Sequence, residues 1–227
     1  MEMLRDVRVQ SILVTLSGLT AFGWILLAGI GPAGIAEICG RGSESSDVVV
    51  PLGMWIIMSV TMMLPCAIGR IIGISWEARP HGAVLAAFKF TGGFLAVVAV
   101  AGILGGLAET GFAGMGLQNP EVGITNPFLR CGLLATAGLL ELLQPHTRSA
   151  QRSGHGAFLS GIAHGGAAWS TLATMICLQL VGGAMNMPWS ATVALWMLAD
   201  AILPSKRQST IFGATLLIAA AVSFFAS

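Results

Sequence analysis

Long apolar runs, separated by short breaks rich in Gly, Pro and polar residues, dominate the pattern of this chain. A membrane-spanning helix needs roughly 20 mostly apolar residues, and seven of the runs approach or reach that length. The pattern therefore predicts an all-α membrane bundle of about seven transmembrane helices, in a single domain over residues 1–227. The predicted spans are 10–32, 51–74, 84–108, 126–145, 158–182, 188–203 and 210–226.

Basic residues alternate along the predicted loops and so indicate an orientation. They lie before the first span and in every second loop, at Arg5, Arg8, Arg70, Arg79, Arg148, Arg152, Lys206 and Arg207. The other loops carry Arg41 alone against Glu37, Glu44, Asp47, Glu109 and Glu121. Because cytoplasmic loops are enriched in Lys and Arg, the N-terminus is predicted to be cytoplasmic and the C-terminus to face the opposite side.

Composition narrows the function classes. Of the 227 residues 55% are hydrophobic and only 9% are charged, which is typical of a membrane protein. A net charge of +1 gives no basic footprint for nucleic acid. The four cysteines form no CxxC pair, so they predict neither a disulfide framework nor a zinc site. We find no Gly-rich phosphate loop and no coherent nucleophile set, so the protein is not expected to be an enzyme.

Four titratable residues interrupt the apolar runs: Lys89, Glu141, His164 and Asp200. With a rise of 1.5 Å per residue, all four are predicted to lie in one layer roughly 6–9 Å inside the cytoplasmic boundary. Ionisable groups inside a membrane need a partner or a function. The layer is open to three interpretations: a self-neutralising structural cluster, a proton or ion pathway, or interfacial residues that never meet.

Met54, Met58 and Met62 recur every four residues on one helix face, with Met63 adjacent. Thioethers are soft ligands that suit Cu(I), and His164 is a further candidate ligand. A methionine stripe is, however, ordinarily core packing. The sequence therefore requires no cofactor, and it makes copper the candidate metal.

Small residues surround His164, in the segment Gly161-Ile-Ala-His-Gly165 followed by Gly166. Small residues four apart let two membrane helices approach closely. These three glycines are therefore predicted to form a helix-packing face. The pattern does not identify the helix that packs against it.

Two segments together resemble a bacterial family of predicted metal-binding integral membrane proteins, whose function is not established. Trp55-Ile-Ile-Met58, followed by Met62-Met63-Leu-Pro65, is similar to the family's Trp-x-x-Met and Met-Met-x-Pro. The second segment runs from His164-Gly165 through Gly183-Ala-Met185-Asn186 and Asp200 to Pro204. The resemblance covers about residues 50–205 and implies a bacterial inner-membrane location.

The chain departs from that family at its cysteines. The family carries Cys and then Gly-Cys-Cys-Trp, where this chain has Ala168 and then Ser170-Thr171-Leu172-Ala173. The family's basic residue after the acid is Ala201 here. The thiolate metal site that the resemblance implies is therefore absent from this chain.

Three functions compete. The first is a non-catalytic accessory or assembly subunit that packs against other helices of a membrane complex, with the lipid bilayer and membrane proteins as partners. The alternatives are copper or other metal handling through the methionines and His164, and proton or ion translocation through the polar layer.

Overall fold

A computed structural model describes residues 7–38, 48–78, 82–119, 122–143, 156–202 and 206–225. Within these ranges the chain forms eight helices and one two-stranded antiparallel hairpin. The helices are α1 (Val7–Ile38), α2 (Val49–Glu77), α3 (Ala83–Gly114), α4 (Pro127–Leu143), α5 (Ala157–Ala167), α6 (Trp169–Gly182), α7 (Met187–Ile202) and α8 (Lys206–Phe225). The hairpin strands are β1 (Gln118–Asn119) and β2 (Gly123–Ile124). The all-α prediction is confirmed.

Three of the described helices are long and apolar enough to cross a membrane: Pro51–Glu77 of α2, Ala83–Gly114 of α3, and α8. A fourth candidate is the pair α5 and α6, which bends by 53° at its junction. The seven spans and their orientation remain predictions. Much of the loop charge on which that orientation depends lies outside the described residues, at Arg5, Arg41, Arg79, Arg148, Arg152, Glu44, Asp47 and Glu121.

Helices α2 and α3 pack against each other along a row of glycines on α3. A β-carbon added at Gly105 would overlap the indole ring of Trp55, and one at Gly102 would lie 3.0 Å from Ile56 Cα. The helices therefore approach closely enough for a large ring of α2 to lie on the backbone of α3. Trp55, Phe90 and Phe94 are completely or almost completely buried and belong to the hydrophobic core.

Two further crossings also depend on glycine. At the contact of α3 with α5, β-carbons at Gly93 and Gly161 would overlap the carbonyl oxygens of Phe158 and Phe90 respectively. At the contact of α4 with α8, a β-carbon at Gly138 would lie 2.9 Å from the Gly213 carbonyl oxygen. In both places backbone meets backbone, as small residues permit between apolar helices.

The segment between the third and fourth predicted spans differs from its prediction as a loop over 109–125. Helix α3 continues to Gly114, and the hairpin follows. Gly123 adopts φ +89°, and a β-carbon there would overlap the carbonyl oxygen of Val181 at the end of α6. Glu109, predicted to be a loop acid, is instead a buried residue of α3. Helix periodicity gave no sign of this because α3 is apolar on all sides.

The predicted continuous span 158–182 is two helices, α5 and α6, that meet at Ala168. The Ala168 backbone has φ −88° and ψ 8°, and its N–H donates to the carbonyl oxygens of both His164 and Gly165 at 3.1 Å. Gly165 and Gly166 precede this turn, and glycine is a poor helix former. The break therefore falls where local helix propensity is lowest.

Candidate metal site

The four methionines of α2 all point into the core. Met54, Met58, Met62 and Met63 are each at most 5% exposed. Their spacing of four residues places the first three along one side of the helix. Their thioethers are thus withdrawn from solvent and lipid, inside the helix bundle.

Methionines of two other helices join them. Met175 of α6 and Met197 of α7 are also buried, and they belong to the same contiguous core cluster as the α2 methionines. We call these six residues, which share the core that runs through the whole bundle, the methionine cluster: Met54, Met58, Met62, Met63, Met175 and Met197. Three helices therefore bring soft sulphur donors into one core.

A hydrogen-bonded polar pair adjoins the methionine cluster. Gln179 of α6 is fully buried, and its Nε2 donates to Met62 Sδ at 3.5 Å. Ser190 of α7 donates from its Oγ to Gln179 Oε1 at 3.1 Å. The amide thus links one thioether of α2 to a hydroxyl of α7 through the interior.

No group of three or more His, Cys, Asp or Glu that could hold a metal occurs within the described ranges. Cys66, Cys131 and Cys177 are half-buried, and none of the three forms a disulfide within the described residues. The Sγ of Cys66 donates to the Met62 carbonyl oxygen at 3.6 Å, so it lies one turn along from that methionine. A metal held by the described side chains would therefore depend mainly on thioethers.

His164 is half-buried at the end of α5 and packs between two rings of α3. Its ring centroid lies 5.6 Å from that of Phe90 and 5.7 Å from that of Phe94, both tilted by 44°. These contacts hold the imidazole against the α3 side of the crossing. Its predicted role as a ligand remains a prediction.

The residues of the predicted polar layer differ in their burial. Glu141 of α4 and Asp200 of α7 are 1% and 4% exposed, whereas Lys89 of α3 lies on the exposed surface. The exposed position of Lys89 fits the interpretation that its long side chain reaches the interface. The clustering of Glu141, His164 and Asp200 remains a prediction.

The three predicted packing glycines differ in surroundings. Gly161 lies on the Phe90 carbonyl, and a β-carbon at Gly165 would lie 2.8 Å from Val97 Cβ. A β-carbon at Gly166 would have nothing within 4 Å. The contact with α3 is therefore made by the first two glycines.

Sequence analysis missed Gln179, Ser190 and the burial of Glu109. A signal existed for Gln179, since it is a polar residue between two leucines in an apolar run. Polar residues at such positions usually face a bundle interior. In an apolar run, neutral amides and hydroxyls carry the same information as charged residues and histidine.

Comparison with known families identifies a metal-related family. The model of the PpoB2 family, described as a copper chaperone, matches residues 52–224. This agrees with the metal-related family that the sequence resembles, and the match includes every residue of the methionine cluster. Comparisons with curated proteins and with solved structures find no match.

Proposed function

Because the chain belongs to the PpoB2 copper chaperone family, we propose that it is a membrane protein that binds Cu(I) on buried thioethers and passes it on. The methionine cluster is the observation that carries this proposal. Thioether sulphur is a soft donor that selects Cu(I) over harder cations such as Mg²⁺ or Ca²⁺. The same proposal gives the conspicuous α2 methionines a role beyond core packing.

The donor set also suits a cargo rather than a permanently bound ion. Thioethers are neutral, so Cu(I) held by them keeps its positive charge in a medium of low polarity. An uncompensated buried charge is costly. Thiolates would neutralise that charge and hold copper more tightly, and the part of the chain that the structure describes contains no group of three or more His, Cys, Asp or Glu that could hold a metal. A site with weaker binding releases metal more readily, as a chaperone requires.

The accessory role that the sequence predicted was an alternative to metal handling, and we propose instead that the protein packs against a membrane partner in order to deliver copper. A chaperone must meet a recipient, and a recipient for a buried membrane site is another membrane protein. Helix α8 supports this proposal because only 22% of its most apolar window is buried within the chain. Its exposed apolar residues include Ile211, Ile218 and Val222. In a bilayer these side chains face lipid or a partner helix.

The proposed topology has seven spans with a cytoplasmic N-terminus in a bacterial inner membrane. If α5 and α6 form one broken span and every other described helix crosses the membrane, the eight helices make seven crossings. The alternation of basic loops supports the orientation.

Copper binding tests the proposal directly. The full chain, purified anaerobically in detergent and loaded with Cu(I), should retain metal in a fixed ratio to protein. Changing both Met58 and Met62 to Leu should weaken Cu(I) binding at least about tenfold. Methionine-to-leucine changes nearly conserve volume and cost less than about 1.5 kcal/mol of stability. The loss of binding can then be assigned to the missing sulphur atoms.

Met115→Leu is the matched control, since Met115 is 62% exposed and lies outside the methionine cluster. Its copper content should equal that of the wild type. X-ray absorption at the copper edge should show sulphur neighbours in the wild type and fewer in the double variant. A metal-free wild type after loading, or full copper in the double variant, would refute the proposal.

A further inference from the structure

The side chain of Gln179 is hydrogen-bonded to Met62 Sδ, a sulphur atom that the proposed copper site needs. Its Nε2 lies 3.5 Å from Met62 Sδ and donates to it. Both residues are at most 2% exposed, so water does not compete for either group. A thioether sulphur has two lone pairs, and the hydrogen bond takes one of them, so the sulphur has less electron density to offer a metal ion.

Ser190 fixes which end of the amide faces Met62. Its hydroxyl donates to Gln179 Oε1 at 3.1 Å, which requires the oxygen to point towards α7 and the nitrogen towards α2. The reverse orientation would place Oε1 beside the sulphur, where two acceptors would repel each other. The closed arrangement is therefore the one that satisfies both ends of the amide.

The same residues offer the displaced amide another partner. Ser190 Oγ also lies 3.4 Å from the Ala184 carbonyl oxygen. If the hydroxyl donates to that carbonyl, its oxygen is free to accept an N–H from Gln179. The amide can then leave Met62 without burying an unsatisfied donor, which would be costly.

We propose that Gln179 is a gate on Met62: its amide competes with Cu(I) for the thioether and favours release of the metal. This inference rests on the proposed function, since it concerns the same site. No covalent step is involved, because one hydrogen bond to sulphur is exchanged for one metal–sulphur bond. The amide oxygen is a hard donor, so it adds little as a ligand for Cu(I).

Gln179→Leu tests the gate. Removal of the amide frees Met62 Sδ in the metal-free protein, so Cu(I) should bind more tightly and leave more slowly. A neutral hydrogen bond of this kind corresponds to a gain in affinity of roughly three- to tenfold. The dissociation constant is measured on the full chain in detergent, by competition with a chromophoric Cu(I) chelator.

Gln118→Leu is the matched control, because Gln118 is a buried glutamine of the β1 strand rather than of α6. It should leave the Cu(I) dissociation constant unchanged. If Gln179→Leu does not fold, Gln179→Ile, which also lacks the N–H and adds no sulphur donor, should likewise bind Cu(I) more tightly.

The outcomes separate the gate from the proposed function. Tighter binding in the Gln179 variant, with the control unchanged, supports the gate. Unchanged binding overturns the gate and leaves copper binding intact. Weaker binding also overturns it, since the amide would then help to hold the metal. Failure of the wild type to bind Cu(I) overturns the proposed function, and the gate with it.

Discussion

At the residue scale, the contact between Trp55 and Glu109 shows how the core accommodates a carboxyl group. The indole N–H of Trp55 donates to Glu109 Oε2, and both side chains are buried. Gly105 makes this possible because its missing side chain leaves space for the indole ring. The other carboxyl oxygen of Glu109 has no hydrogen-bond partner among the residues that the structure describes. The indole therefore supplies the hydrogen bond described for this carboxyl group.

Changing Trp55 to Phe should destabilise the protein, since it removes that donor and leaves Glu109 buried. A buried group deprived of its partner costs about 1–3 kcal/mol, and the smaller ring adds a cavity. Thermal or denaturant unfolding in detergent measures the total. Trp169→Phe, at a position 41% exposed, should change stability by no more than about 0.5 kcal/mol.

A double-mutant cycle with Glu109→Gln separates the hydrogen bond from the cavity. If the two side chains interact as described, the cycle should give a coupling of about 0.5–3 kcal/mol. Additive effects of the two changes would show that Trp55 matters through its volume alone.

At the scale of elements, glycines decide which helices touch. The α3–α5 crossing has glycine on both sides, with Gly93 against Phe158 and Gly161 against Phe90. The Gly-x3-Gly spacing around His164 is visible in the sequence and predicts close packing of two helices. The sequence did not show that Gly166 faces open space, because the direction of a residue depends on where the neighbouring helix lies.

Gly161→Ala should therefore lower the stability of the protein, whereas Gly166→Ala should not. The added methyl at position 161 overlaps a backbone oxygen that cannot move alone, and overpacking of this kind costs about 1–3 kcal/mol. At position 166 the methyl meets nothing, so the better helix propensity of alanine should leave stability unchanged or raise it by up to about 1 kcal/mol. Unfolding midpoints in detergent compare the two, and equal midpoints would contradict the described crossing.

At the scale of the whole molecule, the order of apolar runs matches the order of helices. Each predicted span overlaps a described helix, and the span 158–182 overlaps two. Three helices meet the length and apolarity of a membrane span individually. Of the other helices, some are shorter than a span, and α5 and α6 are separated by the break at Ala168. The side chains of α1 are described only in part. Their assignment as crossings depends on loop charge rather than on helix length.

Accessibility labelling tests that topology. Single cysteines introduced at Lys206 and Met115, both exposed, should react with an impermeant thiol reagent from opposite sides of the membrane. Position 206 follows a break predicted to be cytoplasmic, and position 115 lies in a segment predicted to be external. Both should react after permeabilisation, which serves as the control for reactivity. Reaction of both from one side would refute the seven-span arrangement.

The sequence alone determined the all-α class, the order of the helices and the residues that carry soft sulphur, because apolar length and residue type are properties of the chain itself. Only the tertiary structure decided that six methionines of three helices share one core, that Gln179 reaches Met62, and that Glu109 lies under Trp55. The two hydrogen bonds join residues that are 54 and 117 positions apart in the sequence. The Trp55–Glu109 contact exists because Gly105 leaves room for the indole ring, and no local pattern records which helix becomes the neighbour of which.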